Sequence, residues 1–110
     1  MILAGRFVLA HLVNPSEKFW GRLQDLSPTG FVLRGLNVES FEDWMRDFAR
    51  GERDGMGLVT MFVPLHRLER MFLDERVGGV ESYREVFERR VGSSIEAAFG
   101  GVTDAPDASN

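Results

Sequence analysis

The first 36 residues hold three short segments of β-forming residues separated by two tight turns, and this spacing restricts the folds open to the chain. The turns, residues 14–17 and 27–30, combine Pro, which fixes φ, with Asn, Ser and Thr, which hydrogen-bond locally. Connections this short join only antiparallel strands. The spacing therefore predicts a meander of strands over residues 6–13, 18–26 and 31–36.

Two later segments extend the β-rich pattern. Residues 58–63 are apolar on both faces, as residues 6–13 are, and this pattern predicts a central strand. After Pro64 and a short turn at Leu65-His66-Arg67, residues 68–73 read as a fifth strand. Because one small core hardly covers two double-faced apolar strands, the pattern also predicts a homo-oligomer.

Between these β-rich regions the hydrophobic period changes to that of a helix. Phe41, Trp44, Met45 and Phe48 follow the i, i+3, i+4, i+7 spacing, and Gly51 is a suitable stop. Ser40 with Asp43 resembles a capping box. We predict an inserted helix at about residues 41–50.

A second capping box, Ser82 with Glu85, predicts a C-terminal helix at about residues 82–91. Gly92 interrupts it, and residues 93–99 could form another short helix. The Gly-, Asp-, Ala- and Ser-rich residues 100–110 predict a flexible tail.

The expected fold is mainly β with helical additions, an α+β class. It comprises a five-stranded, strongly bent antiparallel sheet or small barrel in the order β-β-β-α-β-β-α. We expect a single domain over residues 1–99, with the flexible tail after it.

Composition excludes several functions. The chain has no cysteine, so disulfides, thiolate catalysis and Cys-ligated metals are ruled out. No apolar run reaches the ~20 residues of a membrane span, and residues 1–6 lack a signal-peptide pattern. The net charge of −4 makes nucleic acid a less probable partner. We expect a cytoplasmic protein with no membrane contact.

Three segments resemble the Sm-like small barrels, the family that includes the bacterial Hfq proteins. They are Gly21-Arg22-Leu23, Phe31-Val32-Leu33 and residues 62–71. In that family a Gly in the second strand permits sharp bending, and the fourth and fifth strands flank a one-turn 3₁₀ step. The resemblance covers about residues 6–75 and implies a small barrel that assembles into ring-like oligomers.

The RNA-binding positions of the Sm-like family do not carry over. The expected Asp and Asn between the second and third strands are replaced by Ser-Pro-Thr-Gly, and the late Arg-Gly is absent. His66 falls near the Lys-His step of the Hfq proteins, but Leu65 stands in place of the Lys. The resemblance therefore favours the fold and the ring-like oligomer more than RNA binding. RNA binding is kept as an alternative to the scaffold interpretation.

Residues 25–30 are similar to the D-x-S-x-x-G pattern of PilZ domains, which bind cyclic di-GMP. The resemblance implies a nucleotide site at Asp25, Ser27 and Gly30. That family also requires an R-x-x-x-R pair, whereas this chain has Arg6 followed by Ala10. Turn chemistry alone explains the same residues.

No catalytic centre is evident. Residues 51–57 lack the spacing and the Lys of a phosphate-binding loop. Two histidines are few for a metal site. His11 is interpreted as a packed or interface residue. His66 is the better candidate for chemistry, but a structural role is favoured for it too. Trp20, Arg22 and Arg34 could stack on or grip a partner. Alternatively, Phe19 and Phe31 lie in the core and Trp20 is exposed or covered by a helix.

The sequence therefore predicts a non-enzymatic binding or scaffold module that is homo-oligomeric and needs no cofactor or metal. Its alternatives are a cyclic di-GMP-responsive domain and an RNA-binding protein. The candidate ligand- or partner-binding residues are Trp20, Arg22, Asp25, Ser27, Gly30, Arg34, His66 and Arg67.

Overall fold

A computed structural model describes residues 2–52 and 57–100. The strands are β1 (Phe7–Leu12), β2 (Glu17–Ser27), β3 (Gly30–Asn37), β4 (Val59–Pro64) and β5 (Leu68–Leu73). The helices are α1 (Phe41–Ala49), α2 (Tyr83–Val91) and α3 (Ile95–Ala98), with one-turn 3₁₀ helices at Val38–Ser40 and Leu65–Arg67. The flexible tail predicted from residue 100 onward lies almost entirely outside the described residues.

The five strands form one antiparallel sheet in the order β4-β3-β2-β1-β5, so the predicted fold class is confirmed. The prediction that residues 58–63 form a central strand is wrong, because β4 pairs only with β3 and lies at the edge. A strand with apolar residues on both faces can be buried in the middle of a sheet or can lie at an interface. The sequence pattern is the same in both cases, so it does not distinguish them.

Two glycines allow β2 and β3 to approach closely. Gly21 and Gly35 are register partners, and a Cβ on either would collide with the backbone of the other strand. For example, a Cβ on Gly21 would lie 2.7 Å from the Cα of Gly35. The sheet can therefore bend sharply at this crossing.

The sheet separates two hydrophobic cores. One face carries Val8, Leu23, Phe31, Leu33 and Val63, which are buried among residues of all five strands with no helical residue in the cluster. This face is therefore covered by the curvature of the sheet itself, although β4 and β5 do not pair to close a barrel.

The opposite face is covered by the helices. Trp20 is fully buried there, with its ring centroid 5.2 Å from that of Phe41 and 5.9 Å from that of Trp44. Phe87 of α2 stacks on Trp44 at 5.3 Å. The aromatic side chains thus fix α1 and α2 on the sheet, and no helix in the described ranges is both long and apolar enough to cross a bilayer.

The two predicted capping boxes differ in outcome. Ser82 and Glu85 form the full reciprocal box, and Gly92 ends α2 with a φ of 86°. The box predicted at Ser40 is wrong: Ser40 has a helical conformation and its side chain makes no capping hydrogen bond. The reason is that a 3₁₀ turn precedes α1, so the capping side chain is Asn37, which accepts from the N–H of Glu39 at 2.8 Å.

Asp74 anchors the start of α2 to the sheet. Its carboxylate accepts hydrogen bonds from the backbone N–H groups of Tyr83 (2.8 Å) and Arg84 (3.0 Å) and from Nε1 of Trp20 (3.0 Å). With the Ser82 cap, the first three N–H groups of α2 are satisfied. Burial raises the pKa of Tyr83 above its ordinary value, and the negative charge of Asp74 raises it further.

Candidate functional site

The sheet ends in two open edges, because β4 and β5 each pair with one neighbouring strand only. An edge strand presents unpaired N–H and C=O groups that another strand can bind. Natural proteins usually blunt such edges with charges, prolines or bulges. The character of each edge therefore indicates whether it is protected.

The β4 edge is poorly protected. Its six residues include no charged side chain, and Pro64 stands only at its end. Phe62 is 57% exposed and Val59 is 51% exposed. Leu65, in the 3₁₀ helix that follows, is 37% exposed. We call Val59, Phe62 and Leu65 the β4 patch.

The β5 edge borders an apolar groove of about 270 Å³. Phe72 lines it with Val77 and Val80, which are 45%, 68% and 70% exposed, respectively. The two valines face each other across a Gly-Gly turn through two backbone hydrogen bonds of 2.9 and 3.1 Å. We call Phe72, Val77 and Val80 the β5 patch.

His11 lies beside the β5 patch. Its ring meets that of Phe72 edge to face, with centroids 5.0 Å apart. The register places Lys18 on one side of it and Arg70 on the other. Burial and then these two cations lower the pKa of His11 below its ordinary value, while Glu69 acts in the opposite direction.

The structure does not gather the eight predicted site residues into one site. Trp20 is fully buried beneath the helices, which is one of the two positions that the alternative interpretation allowed, and it has no surface to offer a partner. Arg22 lies over the rings of Phe7 and Phe99 and binds both carboxylate oxygens of Glu96, at 2.6 and 2.7 Å. These contacts attach α3 to the sheet.

The residues of the D-x-S-x-x-G pattern are engaged in local structure. The Ser27 hydroxyl accepts from the N–H of Thr29 at 3.3 Å and donates to the carbonyl of Gly30 at 3.2 Å. Gly30 is needed because a Cβ there would collide with the backbone of Val63 and the ring of Phe62. Asp25 is exposed on β2.

The remaining candidates lie at different places. Arg34 is half-buried on β3 and donates to the Thr60 hydroxyl at 3.0 Å. His66 is exposed on the 3₁₀ turn. Arg67 donates to the carbonyls of Val13 (2.8 Å) and Pro15 (2.7 Å), and so joins that turn to the β1–β2 connection.

The sequence analysis missed the residues of both patches. Val77 and Val80 flank two glycines, and apolar residues beside a Gly-Gly turn are a signal that could have drawn attention to them. Phe62 and Phe72 gave no such signal, because an exposed aromatic residue and a buried one look alike in an apolar strand.

Side chains that could bind a metal are scattered over the part of the chain that the structure describes. No three His, Asp or Glu side chains there are grouped as a metal site requires. Comparison with known proteins found no matching family model, no matching curated protein and no matching solved structure.

Proposed function

We propose that the protein is a non-enzymatic scaffold or binding module whose copies assemble head to tail, the β4 edge of one copy docking on the β5 edge of the next. One observation carries this proposal. Six of the eight large apolar side chains that are exposed among the described residues belong to the β4 and β5 patches, at opposite edges of one sheet.

Burial of these patches provides the driving force. Apolar surface removed from water contributes roughly 25 cal/mol per Å², and strand pairing at the edges satisfies the unpaired backbone groups. A strand such as β4, which is apolar, uncharged and open, is an aggregation risk unless it is covered. Assembly removes that risk.

The difference between the two edges favours a head-to-tail arrangement. A two-fold contact between two β4 patches would leave both β5 patches in water. Pairing unlike edges covers both patches in every copy, and it produces a ring if the rotation closes. The one-turn helix at Leu65–Arg67, between the two edge strands, supports the ring-like assembly that the Sm-like resemblance implies.

The nucleotide alternative has less support. The hydroxyl of Ser27 is already bonded within its own turn, and Gly30 is accounted for by close packing against β4. Neither residue therefore needs a ligand to explain it.

Complementation between two variants tests the proposal. Phe62→Asp damages only the β4 patch, and Phe72→Asp damages only the β5 patch. Each substitution should raise the dissociation constant of the assembly at least about 30-fold, since a central aromatic anchor contributes about 2 kcal/mol or more. Light scattering at micromolar concentration should then detect monomers of each variant.

Mixing the two variants should restore one interface, because each retains the edge that the other has lost. Equimolar mixtures should therefore form a heterodimer. Leu26→Asp is the matched control, since Leu26 is 45% exposed on β2 but belongs to neither patch, and it should assemble like the unmodified chain. An unmodified chain that is monomeric, or variants that do not complement each other, would overturn the head-to-tail proposal.

A further inference from the structure

The strand register sets two arginines directly opposite each other, Arg22 on β2 and Arg34 on β3. Like charges in this position destabilise a sheet. Arg22 is neutralised by the two short hydrogen bonds to Glu96. Arg34 forms no salt bridge with any described residue, and it donates to the neutral hydroxyl of Thr60 at 3.0 Å.

Arg34 also lines a cleft of about 380 Å³ between α1, the approach to β4, and α3. Its wall includes the apolar side chains of Trp44, Phe48, Leu58, Ala97 and Ala98. Small-molecule sites have volumes of this order, with apolar and aromatic walls and a few polar groups that orient the ligand. The cleft thus combines two aromatic side chains with the guanidinium of Arg34 and the carboxylate of Glu52.

We propose that this cleft binds a small organic oxyanion, a carboxylate or a phosphate monoester carried on a flat apolar body. The planar guanidinium of Arg34 would donate to two oxygens of the ligand, while Trp44 and Leu58 contact its apolar part. Glu52 lines the same cleft and would repel a second anionic group, so the ligand carries a single oxyanion. This proposal goes beyond the assembly and does not depend on it.

Titration of the full chain with simple probes tests the site. The probes are 2-naphthoate and 2-naphthyl phosphate, with uncharged 2-naphthol as the matched control for the apolar body. Calorimetry should give a dissociation constant for at least one anion that is about tenfold or more lower than for 2-naphthol, as expected for charge-assisted hydrogen bonds. Comparing the two anions identifies the preferred oxyanion, and in NMR spectra the indole N–H resonance of Trp44 should shift.

Two variants separate the roles of charge and space. Arg34→Gln should weaken binding of the anion about tenfold or more, and Ala97→Phe should abolish binding by filling the cleft. Arg46→Gln is the control, because Arg46 lies on the outer face of α1 and pairs with Asp43. The proposal is overturned if neither anion binds at millimolar concentration, if 2-naphthol binds equally well, or if Arg34→Gln retains full affinity.

Discussion

At the scale of single residues, Asp74 shows how much one side chain can organise. It lies just beyond the end of β5, yet it joins the N-terminus of α2 to the indole of Trp20, which is 54 positions away in the chain. Two of the three donors are backbone groups at a helix start, where a negative charge is also favourable. This one carboxylate therefore fixes the start of α2 on the sheet, in addition to the aromatic contacts that hold the helix.

Asp74→Ala should lower the free energy of unfolding by about 3 kcal/mol, because three donors lose their acceptor and Trp20 Nε1 is left unpaired in the core. Urea denaturation in the Phe62→Asp background measures this without interference from assembly. Asp25→Ala is the control, since Asp25 is exposed and a surface change of this kind is usually within about 0.5 kcal/mol. Equal stability of the two variants would show that Asp74 does not anchor α2.

His11 gives the fold a dependence on pH whose sign follows from its surroundings. Its pKa in the folded chain is lowered from 6.5, first by burial and then by Lys18 and Arg70. The unfolded chain therefore binds this proton more readily, so the contribution of His11 is fully present above pH 6.5 and is lost as the pH falls through the folded pKa. In the Phe62→Asp background, His11→Gln should remove this loss of stability, as thermal unfolding at several pH values would reveal. A His11 pKa above 6.5 by NMR titration would refute the assignment.

At the scale of elements, two helix starts that look equivalent in sequence differ in structure. The Ser82 hydroxyl accepts from the N–H of Glu85 at 3.0 Å, and the Glu85 side chain accepts from the N–H of Ser82 at 2.8 Å. Ser40 makes no such bond because the chain enters α1 from a 3₁₀ turn. A capping sequence works only when the residue has the extended backbone of an N-cap.

Ser82→Ala should therefore cost about 1 kcal/mol of stability, the usual value of a helix cap, whereas Ser40→Ala should cost less than about 0.5 kcal/mol. Urea denaturation of both variants in the same background compares them directly. A larger loss at Ser40 than at Ser82 would mean that the start of α1 is not as described.

At the scale of the whole molecule, one sheet divides two cores of different construction. The core that contains no helical residue is closed by the bend of the sheet, which the close approach of Gly21 and Gly35 allows. The core on the opposite face is closed by aromatic contacts to the helices. Each construction covers the middle of the sheet and leaves its two edges uncovered. The β4 and β5 patches are the consequence, and the proposed head-to-tail assembly would cover both.

The elements and their local chemistry could be predicted from the order of the amino acids alone. The three strands of the meander, the two main helices and the Ser82 cap were predictable because turns, hydrophobic period and caps act over a few residues. The direction of strand pairing in the meander followed as well, since tight turns permit only antiparallel neighbours.

Three-dimensional packing sets which strands lie at the edges of the sheet and which apolar side chains stay exposed to water. β4 has the apolar character of a central strand but lies at an edge, and Trp20 is buried although its neighbours Phe19 and Arg22 are partly accessible. The hydrophobic period shows how residues alternate along one strand. Which strands become neighbours in the sheet depends on the pairing of segments that are distant in the sequence. For the same reason no local pattern could predict that Arg34 lines the cleft beside α1.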